Sequence, residues 1–135
     1  MAIFDASSDS NLNSKNALVS ANAISKSMKT LNSEMKTDFS EEMRFGMGIH
    51  AGSMIVGMMG YGKTVTETAV GDNVNIAARL EELTKTYKCE LVVSKYVADR
   101  ANIDTKKMKP KTVDIRGRKE VLEVFTFEKA ADIPV

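Results

Sequence analysis

Between Met54 and Leu80 the chain changes its hydrophobic period twice, and this change limits the fold more than any other feature. Met54-Ile55-Val56 is apolar and strand-like, and Gly57, Gly60 and Gly62 supply a turn. Thr64 to Val70 follows with β-branched residues at alternate positions, the pattern of a second strand. Together the two runs describe a hairpin with a glycine-rich tip. Gly71-Asp72 then breaks the alternation. Ile76, Leu80, Leu83 and Tyr87 recur at steps of three and four, one face of a helix. Asp72 is expected to cap that helix at its positive end.

The same stretch contains a decoy. Gly57-Met58-Met59-Gly60-Tyr61-Gly62-Lys63-Thr64 fits the G-x-x-x-x-G-K-[ST] phosphate-loop pattern letter for letter. That motif works only when a helix begins at the Lys-Thr and turns its N-terminus to the phosphates. Thr64 to Val70 is too rich in β-branched residues for that helix, and no later strand ends in an Asp to hold magnesium. A P-loop NTPase therefore stands as a remote alternative.

The rest of the chain reads as an alternation of strands and helices. Met1 to Phe4 is apolar and strand-like with no turn or cap before it, as if in mid-domain. Ser7 to Asn16 is rich in Ser, Asn and Asp and reads as a loop. From Ser14 to Lys36, Leu18, Ala21, Ile24, Met28, Leu31 and Met35 form a helical stripe that reads as core packing. Met43 to Ala51 reads as a strand, Leu91 to Val93 as a short buried one, and Ser94 as the cap of a brief helix to Ala101. Strands are expected at Thr112 to Ile115 and Val121 to Phe127, joined by a turn at Arg116 to Lys119. Hairpins without a regular βαβ repeat favour an α+β fold, a largely antiparallel sheet with flanking helices.

Charge and composition narrow the partners. Lys plus Arg total 19 and Asp plus Glu total 18, a net charge of +1 in 135 residues. That balance gives no electrostatic reason to expect nucleic acid or an anionic membrane surface. No apolar run approaches the roughly 20 residues that span a bilayer, and no signal-peptide pattern is present. The single cysteine, Cys89, fits a reducing cytoplasmic setting and rules out a Cys/His zinc framework.

Two polar residues on the predicted helix invite a chemical role. Asn75 and Arg79 are four apart, so they share a face, displaced from the Ile76/Leu80/Leu83 stripe. Arginine can fork onto phosphate oxygens, and an asparagine amide both donates and accepts. Both polar groups can then point into a cleft, although spacing alone favours the plainer reading of a solvated helix face.

The wider pattern resembles the class III adenylate/guanylate cyclases. The residues that carry it are Gly48-Ile49-His50-Ala51-Gly52, then Val56-Gly57 and Gly60, then Thr68-Ala69-Val70-Gly71-Asp72-Asn73-Val74-Asn75-Ile76-Ala77-Ala78-Arg79-Leu80. In the family these follow the order G-I-H-x-G, V-x-G-x-x-G and T-V-x-G-D-x-V-N-x-A-A-R-L. Met1 to Phe4 resembles the strand after the family's second metal-binding Asp, and the Gly117 turn its closing segment. The likeness runs from Met1 to Glu128 and is weak through Ser7 to Glu42. It divides the chain into a partial catalytic domain, 1–128, and a C-terminal tail, 129–135. Ala51 departs from the usual hydroxyl residue, and Glu67 from the aromatic residue often found before Thr68.

The resemblance implies a ferredoxin-like cyclase fold and conversion of ATP or GTP to the 3′,5′-cyclic nucleotide plus pyrophosphate for intracellular signalling. Asn75 would orient the ribose and Arg79 would stabilise phosphate charge in the transition state. Thr68 falls where the base is selected, and a hydroxyl there suits adenine, so ATP is favoured over GTP. Arg118 or Lys119 falls where the family places a basic residue on the terminal phosphates; the plain alternative is an exposed basic turn. His50 reads as a packed structural residue.

The family's two divalent ions, Mg or Mn, are held by two Asp residues. Both are expected upstream of Met1 with the missing N-terminal strand and helices, so no metal ligand is assigned here and no tightly bound ion is expected. Its active sites form between two domains packed head to tail, which implies a homodimer, strand exchange or aggregation rather than a monomer. This chain is expected to be inactive alone. A degenerate cyclase-like module that binds a nucleotide or dimerises is the non-enzymatic alternative.

Overall fold

A computed structural model describes residues 1–4, 9–115 and 121–135. Helix α1 (Ser10–Glu34) begins where the Asp9 carboxylate accepts from the backbone N–H groups of Asn11 and Leu12, two donors that an unassisted helix start leaves unpaired. The described part of the expected Ser7 to Asn16 loop is therefore helix from Ser10 onward. The buried face runs through Ser14, Ala17, Leu18, Ala21, Asn22 and Ser25. Ile24 and Leu31, expected in the core stripe, are exposed instead. Periodicity counts apolar residues, whereas this face also buries polar residues that find partners elsewhere in the fold. Asn32 closes the far end of the helix by exchanging two hydrogen bonds with the backbone of Met43, each 3.0 Å.

Strand β1 (Met47–Ile49) is shorter than the expected Met43 to Ala51. A hairpin follows, β2 (Ile55–Tyr61) and β3 (Thr64–Val70), closed by the pair Tyr61 and Thr64 around Gly62-Lys63. Gly57 and Gly60 lie within β2 rather than in the turn. Because Thr64 to Val70 is a strand, the phosphate-loop alternative loses the helix it requires. Met1 to Phe4 joins no sheet, which corrects the strand expected there.

Gly71 turns the chain from β3 into α2 (Asp72–Tyr87) with φ of 152°, a backbone that side chains disfavour. Gly71 is itself the N-cap, and Asp72 is the first helical residue; the expected Asp72 cap moves by one position. Then come β4 (Leu91–Ser94), α3 (Lys95–Arg100), β5 (Lys111–Val113), β6 (Leu122–Phe127) and a short 3-10 turn (Ala130–Asp132). Ser94 precedes α3 as expected but makes no side-chain cap bond.

The main sheet has the order β1-β4-β6-β5, parallel at β1/β4 and antiparallel elsewhere. Alternation sends Leu91, Val93, Phe125 and Phe127 to one face, where they pack with Leu18 of α1 and Val97 of α3. Val92 and Val124 face the other way and pack with Ile76 and Leu80 of α2. The helices thus lie on both faces, as an α+β reading expects. The 129–135 segment returns to the first face, with Ala130 and Ile133 buried there.

Candidate active site

The sequence-predicted residues gather at the junction of β3 and α2. Thr68 lies three residues before Gly71, half-buried near the end of β3 and opposite Gly57 in the hairpin register. Asn75 and Arg79 follow in the first turns of α2, one turn apart on one exposed face. Ile76 and Leu80, their immediate neighbours, point into the core and hold the helix so that the polar pair faces outward. The Arg79 guanidinium donates to the Glu82 carboxylate at 2.8 Å, an ion pair with both side chains more than half exposed. Such a pair contributes only about 0–1 kcal/mol, so the guanidinium is easily released to another anion. Arg118 and Lys119 lie outside the described residues.

α2 is seated by residues whose role the sequence did not disclose. Even-numbered positions of the β1 segment face it, and the glycines there permit very close approach. A Cβ on Gly48 would stand 2.2 Å from the Ala77 carbonyl oxygen, and one on Gly46 would stand 2.1 Å from the Thr84 hydroxyl. Asn73 completes the seat. Its Nδ2 donates to the Ser53 carbonyl at 2.8 Å, which directs its Oδ1 to His50. Oδ1 can only accept, so His50 Nε2 carries the proton and donates at 3.2 Å. His50 is thus a structural partner of α2, as the sequence suggested. Asn73 was overlooked because its partners lie 20 and 23 residues away.

A cleft of about 790 Å³ opens on the other side of α2, between that helix, β1, α1 and residues 1–4. Asn73, Val74, Ala77, Ala78 and Glu81 line it, but Thr68, Asn75 and Arg79 do not. The fold therefore brings the predicted triad to an outer surface rather than into this cleft. Among the described residues no group of three or more His, Cys, Asp or Glu side chains converges, so the residues present do not fit a two-ion carboxylate site. No helix among them is long and apolar enough to cross a membrane.

Comparison with known proteins bears on the family and the fold. The family model for the adenylate and guanylate cyclase catalytic domain matches residues 2–129. Adenylate cyclase 1 of Rhizobium meliloti (strain 1021) is 32% identical over 104 residues, covering 76% of this chain and 16% of that protein. An adenylate cyclase of Anabaena cylindrica is 30% identical over 83 residues, 59% of this chain and 16% of that protein. Among solved structures, the guanylyl cyclase Cya2 superposes with a TM-score of 0.75 at 20% identity, covering 91% of this chain and 61% of that one. A bacterial light-regulated adenylyl cyclase superposes at 0.67 with 26% identity, covering 89% of this chain and 35% of that one. The chain thus spans a small part of these curated relatives and less than two thirds of the solved chains.

Proposed function

This chain belongs to the adenylate and guanylate cyclase catalytic domain family, and from that premise we propose that it supplies the substrate-orienting half of a nucleotidyl cyclase site that acts on ATP in preference to GTP. The observation that carries this reading is the outward polar face of α2, with Asn75 and Arg79 one turn apart and Thr68 just across Gly71. In the reaction the ribose 3′-oxygen forms a bond to the α-phosphorus, the bond to the bridging oxygen breaks, and pyrophosphate leaves. Catalysis of this kind rests on positioning and on charge stabilisation.

Each residue has a distinct part. The Asn75 amide orients the ribose. Arg79 leaves its exposed pair with Glu82 and forks onto the phosphate oxygens as their charge redistributes. The Thr68 hydroxyl accepts from the adenine amino group, which favours ATP. Arg118 or Lys119 engages the terminal phosphates. The described residues of this chain do not fit the family's two divalent ions. The reading therefore assigns those ions to carboxylates of a partner domain packed against this face, and to a homodimer in the whole protein. The exposure of the α2 pair suits a site completed by another subunit.

The test has two arms. The purified 135-residue chain, given ATP and manganese, is expected to make no cyclic AMP; sustained production would overturn the division of the site. The chain is then mixed with a cyclase domain that retains its metal carboxylates but has its own ribose and phosphate residues removed. Activity should appear, and Arg79→Ala should lower it by about 10²–10³-fold, the usual loss for a transition-state donor. If mixing restores nothing while the chain still binds ATP, the non-catalytic nucleotide-binding module is the better description.

A further inference from the structure

Thr68 and the Asn75/Arg79 pair lie on opposite sides of Gly71, and the backbone by itself leaves that junction loose. Gly71 has a φ of 152° and carries no side chain to accept from the first N–H groups of α2. The first turn closes onto the Gly71 carbonyl only from Val74 and Asn75, at 3.1 and 3.3 Å. Packing does little to fix the hairpin either: β2 is exposed throughout, and β3 buries only Ala69. Held by these contacts alone, the strand that carries Thr68 and the helix that carries the polar pair would swing against each other about one glycine.

One side chain spans this hinge. The last pair of the hairpin ladder is Ile55 with Val70. Ser53 stands just before Ile55 in the chain and Asn73 just after Gly71-Asp72. The Asn73 amide donates to the Ser53 carbonyl at 2.8 Å, which adds a side-chain rung beyond the end of the ladder, on the helix side of Gly71. Its oxygen accepts from His50, the residue after β1, at 3.2 Å. Asn73 thereby ties the first turn of α2 both to the base of the hairpin and to the strand of the main sheet that leads into it. Room for the amide is built in, because a Cβ on Gly52 would stand 2.3 Å from Asn73 Cγ. A helix start that merely met solvent would need neither that glycine nor two partners on another segment.

We propose that Asn73 is a positioning residue of the nucleotide site. By locking the Gly71 hinge it sets the spacing between Thr68 and the Asn75/Arg79 pair, with His50 and Gly52 as its supports. This role depends on the nucleotidyl cyclase reading above and adds a residue to it. Asn73 touches no substrate in this assignment, since it lines the cleft on the other side of α2 from the pair. A bound nucleotide reaches across the hinge, with its base at Thr68 and its phosphates at Arg79. An error of about 1 Å in that span lowers the rate by up to about 10²-fold, because the attacking oxygen and the phosphorus must meet in line. Loss of the lock should therefore weaken turnover and base choice together, which loss of stability alone does not.

The experiment uses the full chain with an excess of a cyclase domain that retains its metal carboxylates but lacks its own ribose and phosphate residues. Rates are measured with manganese and either ATP or GTP. Asn73→Ala should lower kcat by about 10–10²-fold, change KM for ATP far less, and narrow the parent's preference between the two nucleotides. Asn73→Asp keeps an acceptor for His50 but has no donor for Ser53, and should fall with it. His50→Gln keeps a donor where Nε2 stands and should retain most of the parent's rate, whereas His50→Leu should not. Ile133→Ala, in the core on the far face of the sheet, is the stability control. It should lower the melting temperature and leave kcat and the nucleotide preference unchanged at temperatures well below the melt. Amide hydrogen exchange on the chain alone should quicken at Val74 and Asn75 in Asn73→Ala and stay the same at Leu83. If Asn73→Ala does not fold, the two His50 variants carry the same comparison. A parent mixture that makes no cyclic nucleotide defeats the cyclase reading, and this role with it. An active parent mixture in which Asn73→Ala keeps the parent's kcat and preference, or in which Ile133→Ala loses them equally, overturns this role alone.

Discussion

Glu90 is the side chain on which two distant segments converge. Its carboxylate accepts from the Ser25 hydroxyl on α1, from Lys129 Nζ at 2.9 Å and from the Ala130 N–H at 3.0 Å. Burial pushes the carboxyl up, but these hydrogen bonds and the Lys129 charge outweigh burial and hold it below its usual 4.5. A carboxyl with a depressed folded-state pKa stabilises the fold above its unfolded value and loses that contribution as pH falls through the folded one. The stabilisation should therefore be complete at neutral pH and fade below about pH 4.5. Glu90→Gln should cost about 0.5–1.5 kcal/mol at pH 7, the net range for a typical hydrogen bond, because the site is only part-buried. Thermal melts from pH 7 to 3 check this: the parent should lose its advantage over the variant as the pH drops. An advantage that persists at pH 3 would show that charge and hydrogen bonding at Glu90 are not the source.

The contact between β1 and α2 places the polar face of that helix, and it depends on an absence of side chain. At Gly48 an added methyl group would lie 2.2 Å from the Ala77 carbonyl oxygen and 2.3 Å from the Glu81 nitrogen. Both are backbone atoms within a helix and cannot step aside. Gly48→Ala should therefore push α2 off the sheet and cost about 1–3 kcal/mol or more, as overpacking does. The melting temperature should fall by about 4–15 °C. Gly57→Ala, at a position with open space, should leave the monomer's melting temperature nearly unchanged. Similar losses at both positions would mean that strand propensity, rather than helix seating, sets the cost.

Across the molecule, the last residues tie the two ends of the chain together. Asn22 of α1 is buried and donates from Nδ2 to the carbonyls of Ala130 and Ala131 at 3.3 and 2.8 Å. Ala130 and Ile133 fill the same core as Leu18 and Phe125. Removing residues 130–135 should expose that core and strand the Asn22 amide without acceptors. The expected loss is about 3–5 kcal/mol, from one large apolar side chain and one buried amide. Urea denaturation should show the midpoint moving sharply down. If the shortened chain unfolds at the parent's midpoint, the segment is dispensable to the core.

The hairpin, the glycine before α2 and the displacement of Asn75 and Arg79 from the core stripe were legible in the sequence, whereas the cleft these two were expected to face is not found on their side of α2 among the described residues. Each of the legible features follows from local sterics or from a period of two or 3.6, which neighbouring residues set among themselves. The first turns of α1 were not legible, because Ser10, Asn11, Asn13 and Asn16 have loop composition and are helical through a cap and a buried face. Nor was the exposure of Ile24 and Leu31, since a stripe shows which residues could be buried but not where the covering sheet ends. Asn22, Ser25, Asn73 and Glu90 read as ordinary polar residues until folding delivers partners from 20 to 109 residues away. The pairing of Arg79 with Glu82 and the separation of the α2 pair from the large cleft likewise depended on the folded geometry. Hydrogen-bond partners and cavity walls are properties of distances in space, and a one-dimensional pattern carries no distances beyond a few residues.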